Sequence, residues 1–527
     1  MKRFLLSALA CPVALSLSYG QISTEALLDT IQHTAFDFFW QEANPSNGLI
    51  RDRGPGNAPC SIASVGFGLS AICIGVDHGW VSREAARDRV LTTLNTFWTP
   101  SLQGGGVDGY MGNFGLYYHF LDMNTATRTW DSELSTIDSG LLLAGILDAQ
   151  QYFDGTDSVE TLLRARADSI YRRMNWNLMR NFNPGILLGW KPTTGFQGYG
   201  QWVGYNEASI MYILAMGSPT HPVDYDGWLT WTHGYVYQAY YGQAYVIFPP
   251  LFGHQYSHCW IDYRDINDAY MRNKGFTYFE NSRRATLAQR AYSIDNPLGH
   301  AGYSDSLWGI TASDTPTGYR ARGAPPAQND DGTMTPTAPI SSLPFAPEVV
   351  LPVIHNMWNN YPQLWTPYGF RDAFNLNVNW YDTDIIGIDQ GPIIIMIENY
   401  RTQRVWNRFM RSPYVQAGLQ AAGFQPVTSV SEEPPTGPTA MTLFQNFPNP
   451  FNPDTRIRFV LSGTTAVTVT LRAFNLLGEE VGTLVDGVLE PGVHVVHFDG
   501  GNLPSGVYYY KLEAGGEVAM KSMILLK

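Results

Sequence analysis

Residues 129–147 read Thr129-Trp-Asp-Ser-Glu-Leu-Ser-Thr-Ile-Asp-Ser-Gly-Leu-Leu-Leu-Ala-Gly-Ile-Leu147. Three carboxylates, Asp131, Glu133 and Asp138, stand at the start of a strongly apolar run. Ser135 and Asp138 have the spacing of a capping box, a hydroxyl with an acid three residues on. Behind them Ile137, Leu141, Leu142, Ala144 and Gly145 bury one helix. The spacing predicts a helix over about 135–153, with its N-terminal loop holding acids rigidly beside open space. Taken alone, the same acids do no more than cap and solvate a helix start.

Working outward, the helical period recurs. It runs from Ser23 to Glu42, from about Ile62 to Gly79 in a segment rich in small residues, and from a cap at Ser82 to Trp98. Leu116–Asp122 alternates and reads as a strand with a turn at Met123–Thr127, delivering the chain into the opening stretch. Further helices are expected at about 157–175, 206–216, 224–240, 262–273, 280–293, 346–361 and 391–410, with a short one to about 422. The segment from Asn296 to Pro344 has little period, and unpatterned connections of that length are usually functional or disordered. Helices joined by alternating short and long loops point to an all-α toroid.

The rest of the chain differs in kind. Lys2 and Arg3 precede the apolar run Phe4–Leu17, and Ser18-Tyr19-Gly20 supplies small residues at a cleavage-site spacing, so residues 1–20 read as a secretory signal peptide. The body is expected over 21–425. Residues 426–440 are a Pro/Thr/Ser/Glu linker, and 441–527 alternate in short strands (456–461, 467–474, 492–498, 506–512) suited to a small all-β, Ig-like sandwich. A net charge of −13 argues against a nucleic-acid partner. After cleavage, Cys60, Cys73 and Cys259 remain, too few for a disulfide framework.

The chemistry-bearing groups are acids and aromatic rings. The chain carries 15 Trp, 30 Tyr and 26 Phe, many among Gly, Asn and Asp, where flat amphipathic rings suit sugars. Glu207, behind an Asn206 cap, is expected at the first turn of a helix, and Asp389 on a glycine-flanked turn just before one. In a helical toroid one end gathers the starts of the inner helices, so Asp131, Glu133, Asp138, Glu207 and Asp389 would share a cleft. Paired acids there match glycoside hydrolysis, in which one protonates the leaving oxygen and another serves water. Trp130, Trp308, Asp314, Tyr319 and Arg320 are expected to shape sugar subsites. His254 and His258, four residues apart with Cys259 and Asp262 following, and Asp330-Asp331-Gly332 are weak metal signals, and no metal or cofactor is expected.

Several ordered blocks resemble the bacterial glucoamylase-like (glycoamylase) domain. Besides Thr129–Leu143 they are His254-Gln-Tyr-Ser-His-Cys-Trp-Ile-Asp-Tyr-Arg264, Trp308-Gly-Ile-Thr-Ala-Ser-Asp-Thr-Pro-Thr-Gly-Tyr319, Asp330-Asp-Gly-Thr333, Tyr368-Gly-Phe-Arg-Asp-Ala-Phe-Asn375 and Gly387-Ile-Asp-Gln-Gly-Pro392. The resemblance implies an (α/α)6 barrel and, from the inverting endo-β-1,2-glucanases of glycoside hydrolase family 144, a metal-independent attack on β-1,2-glucan. It matches Glu207 to the general acid and Asp131, Glu133 and Asp138 to an acidic cluster important for activity. Asp389 is a further candidate for base or sugar binding, and which acid serves the water stays open. Phe447-Pro-Asn-Pro-Phe-Asn-Pro453, Phe474-Asn-Leu-Leu-Gly-Glu480 and Leu503-Pro-Ser-Gly-Val-Tyr-Tyr509 resemble the type A sorting domain of the type IX secretion system. That implies export through this machinery to the outside or outer surface of a Gram-negative-type cell. The expectation is a monomeric secreted endo-β-1,2-glucanase. The alternatives are another β-glucan hydrolase, an exo-glucosidase or a lyase on the same barrel, and a non-catalytic glycan-binding surface protein.

Overall fold

The computed structural model describes residues 22–427, 441–444, 446, 449, 451–461 and 465–526. The signal peptide, most of the linker and part of the Phe447–Pro453 motif lie outside them. The chain divides into two compact units, Met1–Pro426 and Val427–Lys527.

The first unit is helical. Its helices are α1 (Thr24–Gln41), α2 (Ile62–Asp77), α3 (Arg83–Trp98), α4 (Thr136–Tyr152), α5 (Ser158–Arg173), α6 (Ser209–Met216), α7 (Tyr225–His233), α8 (Ala269–Lys274), α9 (Tyr278–Asp295), α10 (Thr337–Ile340), α11 (Pro347–Asn360), α12 (Gly387–Arg401), α13 (Arg404–Phe409) and α14 (Pro413–Ala421). Burial sorts them into two layers. α2, α4, α6 and α12 are buried on nearly every side, as helices of an inner layer must be. α5 buries only a stripe, Glu160, Leu163, Ala167, Ile170 and Tyr171, and is an outer helix.

The inner layer closes on itself. α12 packs on α2, α2 on α4 and α4 on α6, and the ring is completed by the 3-10 turns Leu251–His254 and Ser257–Cys259 and by α10, which returns to α12. α1, α3, α5, α14, α9 and α11 lie outside it. The result is an α/α toroid in which two inner positions have shrunk to short helical turns. The small residues of α2 have a packing reason. A Cβ on Gly145 would stand 1.9 Å from the Gly66 carbonyl oxygen, so α2 and α4 touch backbone to backbone. A Cβ on Gly391 of α12 would stand 2.2 Å from the Phe67 ring.

Three inner helices are preceded by two-residue strands that pair far along the chain. Cys60–Ser61 pairs with Phe120–Leu121, Leu134–Ser135 with Gly189–Trp190, and Ile385–Ile386 with Arg53–Gly54. Each pairing ties the start of an inner helix to a loop segment distant in the sequence, and these starts form one rim. They also correct several expectations. Leu116–Asp122 is two fragments with different partners, not one strand. The helix expected over 224–240 stops at His233, and Tyr237–Tyr240 turns into a hairpin with Gln243–Val246. Residues 262–268 are not helical, and the helix expected over 391–410 breaks between α12 and α13, where Gln403 takes φ +59°.

The second unit is antiparallel β. One sheet holds Met441–Leu443, Asp454–Leu461 and Gly492–Asp499; the other runs Glu480–Leu489, Val467–Phe474, Gly506–Ala514, Glu517–Leu525. Alternate residues, among them Ile457, Phe459, Leu471, Tyr510, Leu512 and Met523, share one core.

Candidate active site

The rim of helix starts carries the acids. At α4, Ser135 Oγ accepts the Asp138 backbone N–H at 3.3 Å and also donates to the Asp138 carboxylate, so the capping box forms. Asp138 does more than cap. Its other neighbour is His119, whose Nε2 lies 3.7 Å away, while His119 Nδ1 lies 3.1 Å from Glu133 Oε1. Burial works against charge on His119, but Asp138 and Glu133 outweigh it and lift the imidazole to about 9. Glu133 responds in kind: burial raises its carboxyl, the His119 hydrogen bond lowers it, and the net is downward. In this wall the imidazolium and the Glu133 carboxylate hold each other in their charged forms.

Glu207 is the opposite case. Burial pushes its carboxyl up to about 7, and the nearby charge of Asp138 adds to the rise. It sits in a turn two residues ahead of α6, not in the helix's first turn as the sequence suggested. The turn is fixed from three sides. Asn206 Oδ1 accepts from the Ala208 N–H and from Trp231 Nε1, each at 3.0 Å, and Ser257 Oγ donates to the Glu207 carbonyl at 2.8 Å.

Asp389 lies inside the first turn of α12 rather than on a turn before it, and is 3% exposed. Burial pushes it up to about 7, and its carboxyl hydrogen-bonds that of Asp372, which burial and Asp389 drive well above the carboxylate range. Two buried carboxyls that act on one another in this way resist being ionised together. Asp372 also accepts the Asp314 N–H at 2.7 Å, and Asp314 binds Arg53 Nη1 at 2.7 Å. Arg53 further reaches Asp52 and Asp384, at 3.0 and 3.1 Å.

Tyrosines close the ring. Burial holds the Tyr256 hydroxyl well above its usual range, with Asp389, Tyr319 and Glu207 adding to the effect. Tyr319 is about half exposed, at 49%, and its hydroxyl is pushed well above its usual range by burial and by the charges of Asp389, Asp372, Asp52 and Asp314. Arg320 follows on the same exposed loop, held by backbone hydrogen bonds to Ser313.

The remaining expected residues divide. Asp131 is on the outer rim, 68% exposed, bound by Arg128 at 2.5 Å and Lys191 at 2.9 Å; the Lys191 hydrogen bond leads in holding its carboxyl low. It follows Trp130, 62% exposed, and both take positive φ, +57° and +49°. Non-glycine residues adopt that region at a cost, and consecutive ones cluster at functional sites. Trp308 is a correction: it is fully buried, and a ring sealed in the core cannot stack on a sugar. The weak metal signals dissolve into packing. His254 and His258 are buried, which pushes both down to about 3, and they face Phe248 and Ser282. Asp330 accepts from Tyr292 and Tyr303.

His119, Asp52, Arg53, Tyr256 and Asp372 escaped the sequence reading. All but Asp52 and Arg53 fall within segments singled out there, but nothing local marked them, because most of the groups they meet, such as Asp314 and Asp384 for Arg53, come from other segments. Together the groups gather at one rim: the His119, Glu133 and Asp138 cluster at the start of α4, an acid raised by burial ahead of α6, tyrosines, and the Asp372 and Asp389 carboxyls at α12. One side can give a proton to a leaving oxygen while another holds charge toward water or a developing cation.

An α/α toroid with acids of opposed protonation at one rim defines a class, the acid–base cleft of a carbohydrate-type helical barrel. Comparison makes it particular. The glycoamylase family model ("Putative glucoamylase") matches residues 199–413. A Bacteroides uniformis crystal structure of the same description is 34% identical, covers 77% of this chain and 99% of its own, and has a TM-score of 0.72. The endo-β-1,2-glucanase of Chitinophaga pinensis, solved with sophorotriose and glucose, is 30% identical, covering 77% of this chain and 99% of that one, with a TM-score of 0.70. The exo β-1,2-glucooligosaccharide sophorohydrolase of Parabacteroides distasonis is 31% identical over 76% of this chain, which spans 58% of that relative's length. The chain belongs to the glycoamylase family.

Proposed function

We propose that this protein is an exported glycoside hydrolase that cleaves β-1,2-glucan by an inverting, endo-acting mechanism. The observation that carries the reading is the contrast at one rim: Glu207, pushed up to about 7 by burial, and Glu133, whose carboxyl His119 holds low. Glu207 donates its proton to the glycosidic oxygen. The water is served by a carboxylate from the Asp138/Glu133 wall or by Asp389 in its ionised form. Asp131, tied up by two cations on the outer rim, suits sugar placement better than proton abstraction. Trp130, Tyr319, Arg320 and Asp314 line the path of the chain.

Glu207→Gln keeps the shape and removes the proton. Turnover of β-1,2-glucan is expected to fall about 10²–10⁴-fold, the usual weight of a general acid, with the circular dichroism spectrum unchanged. Near-normal reducing-end release by that variant would refute the assignment.

The Parabacteroides relative favours a second reading, release of disaccharides from a chain end. Early products decide it: mixed oligosaccharides with a rapid drop in polymer size indicate endo action, and sophorose alone indicates exo action.

A further inference from the structure

A second surface of the helical unit has the make-up of a glycan platform. A cavity of about 690 Å³ is lined by Asn177, Arg180, Asn181, Phe182, Phe196 and His221 with their neighbours, within the usual size of small-molecule sites. Phe182 is fully solvent-exposed, at 105%. It takes φ +66°, and Asn181 before it takes φ +45°. For a bulky residue that backbone is an outlier, and here it lifts an apolar ring into water, against both local sterics and burial.

The mount is rigid. Asn183 Nδ2 donates to the carbonyls of Arg180 and Asn181 at 2.9 and 3.2 Å, and Arg180 Nε donates back to the Asn183 carbonyl at 3.0 Å. Arg180 is also paired with Asp224 at 3.1 Å, which leaves the floor without a free charge for an anionic ligand. The exposed side-chain amides of Asn177 and Asn181 make no hydrogen bond among the described residues. A flat apolar ring beside unengaged amides fits a neutral sugar, with its C–H face and hydroxyl edge.

One loop joins this surface to the rim of the cleft. The loop that puts Phe196 in this cavity begins at Trp190, which pairs with Leu134, and at Lys191, which binds Asp131 at 2.9 Å. We propose that the Phe182 cavity is a second binding site for a β-1,2-linked glucan strand, outside the catalytic cleft and reached along the 190–202 loop. The inference rests on the β-1,2-glucan reading given above.

The test uses the full chain carrying Glu207→Gln, so that polymer is bound and not cut. It is run on native gels with and without β-1,2-glucan, against the same protein with Phe182→Ala added. The apparent affinity from gel retardation is expected to fall about fivefold on losing the ring, and Phe182→Trp is expected to keep it. Folding is checked by thermal melting, which a side chain in open solvent should not move. Equal retardation with and without the Phe182 ring, while the wild type still releases reducing ends, overturns the second site and leaves the function standing. Loss of self-association on Phe182→Ala with unchanged retardation also overturns it, in favour of a contact between copies. No hydrolysis by the wild type and no retardation of Glu207→Gln removes both readings.

Discussion

At the scale of single residues, Glu207 links activity to stability. Its carboxyl is raised from the usual 4.5 to about 7 in the folded protein. A group raised on folding binds more protons folded than unfolded between those values, so its contribution to stability is full below about 4.5 and is lost as pH rises through about 7. Two outcomes follow for one residue. The kcat/KM profile of the wild type should fall on its alkaline side with an apparent pKa near 7, since only the protonated form donates. Glu207→Gln, permanently neutral, should be more stable than wild type above pH 7, by on the order of 2–3 kcal/mol once the difference is complete. Paired urea titrations at pH 5 and pH 8.5 check this: the gap between variant and wild type must be small at the lower pH and wide at the higher. Glu207 was legible in the sequence because an Asn-Glu pair after an aromatic loop announces a helix start. Asp372 was not, since its meaning lies in Asp389, which only the fold brings within a hydrogen bond. Trp308 was misread for the converse reason: a loop-like sequence around it gave no sign that the loop is packed inside.

At the scale of elements, the sequence patterns of the long helices were readable and their ends were not. α1, α3, α5 and α9 announce themselves by period, and α1 and α3 also by caps at Ser23 and Ser82; the caps at Asp157 and Thr277 are seen only in the structure. The two-residue strands that fix the rim carry no periodic signal, because each exists only through a partner far along the chain. The break at Gln403 was equally silent, a left-handed turn made without glycine. The inner helices set a further expectation. Gly145 and Gly66 let α2 and α4 touch, and a methyl on Gly145 meets only backbone atoms, which cannot rotate away. Gly145→Ala should therefore force the helices apart and cost about 3 kcal/mol or more, at or beyond the upper end of ordinary overpacking. It should also disturb catalysis, because α4 carries Asp138 at its start. A lowered urea midpoint with reduced kcat would agree, and a variant matching wild type in both would show that the two helices are free to separate.

At the scale of the whole molecule, the two units have separate cores. The helical core draws its buried residues from Leu27 to Ala422, and the β core draws its own from Leu443 to Leu525. All the acids and tyrosines of the candidate cleft lie in the first unit. The chemistry should therefore be indifferent to the tail, and the tail's motifs resemble a sorting signal. Our proposal is that the second unit addresses the protein to the type IX secretion machinery and takes no part in hydrolysis. A chain ending at Pro426 should then hydrolyse β-1,2-glucan with the kcat and KM of the full protein, and should melt at the temperature of the helical unit in the intact chain. Expressed in a bacterium that has this machinery, the shortened chain should accumulate in the periplasm, while the full chain appears in the medium or on the cell surface. Fusing residues 427–527 to an unrelated periplasmic protein should carry that protein outward. If the shortened chain is exported as well as the full one, the second unit is no address. If it loses activity while remaining folded, the tail belongs to the enzyme after all, and the division of labour proposed here is wrong.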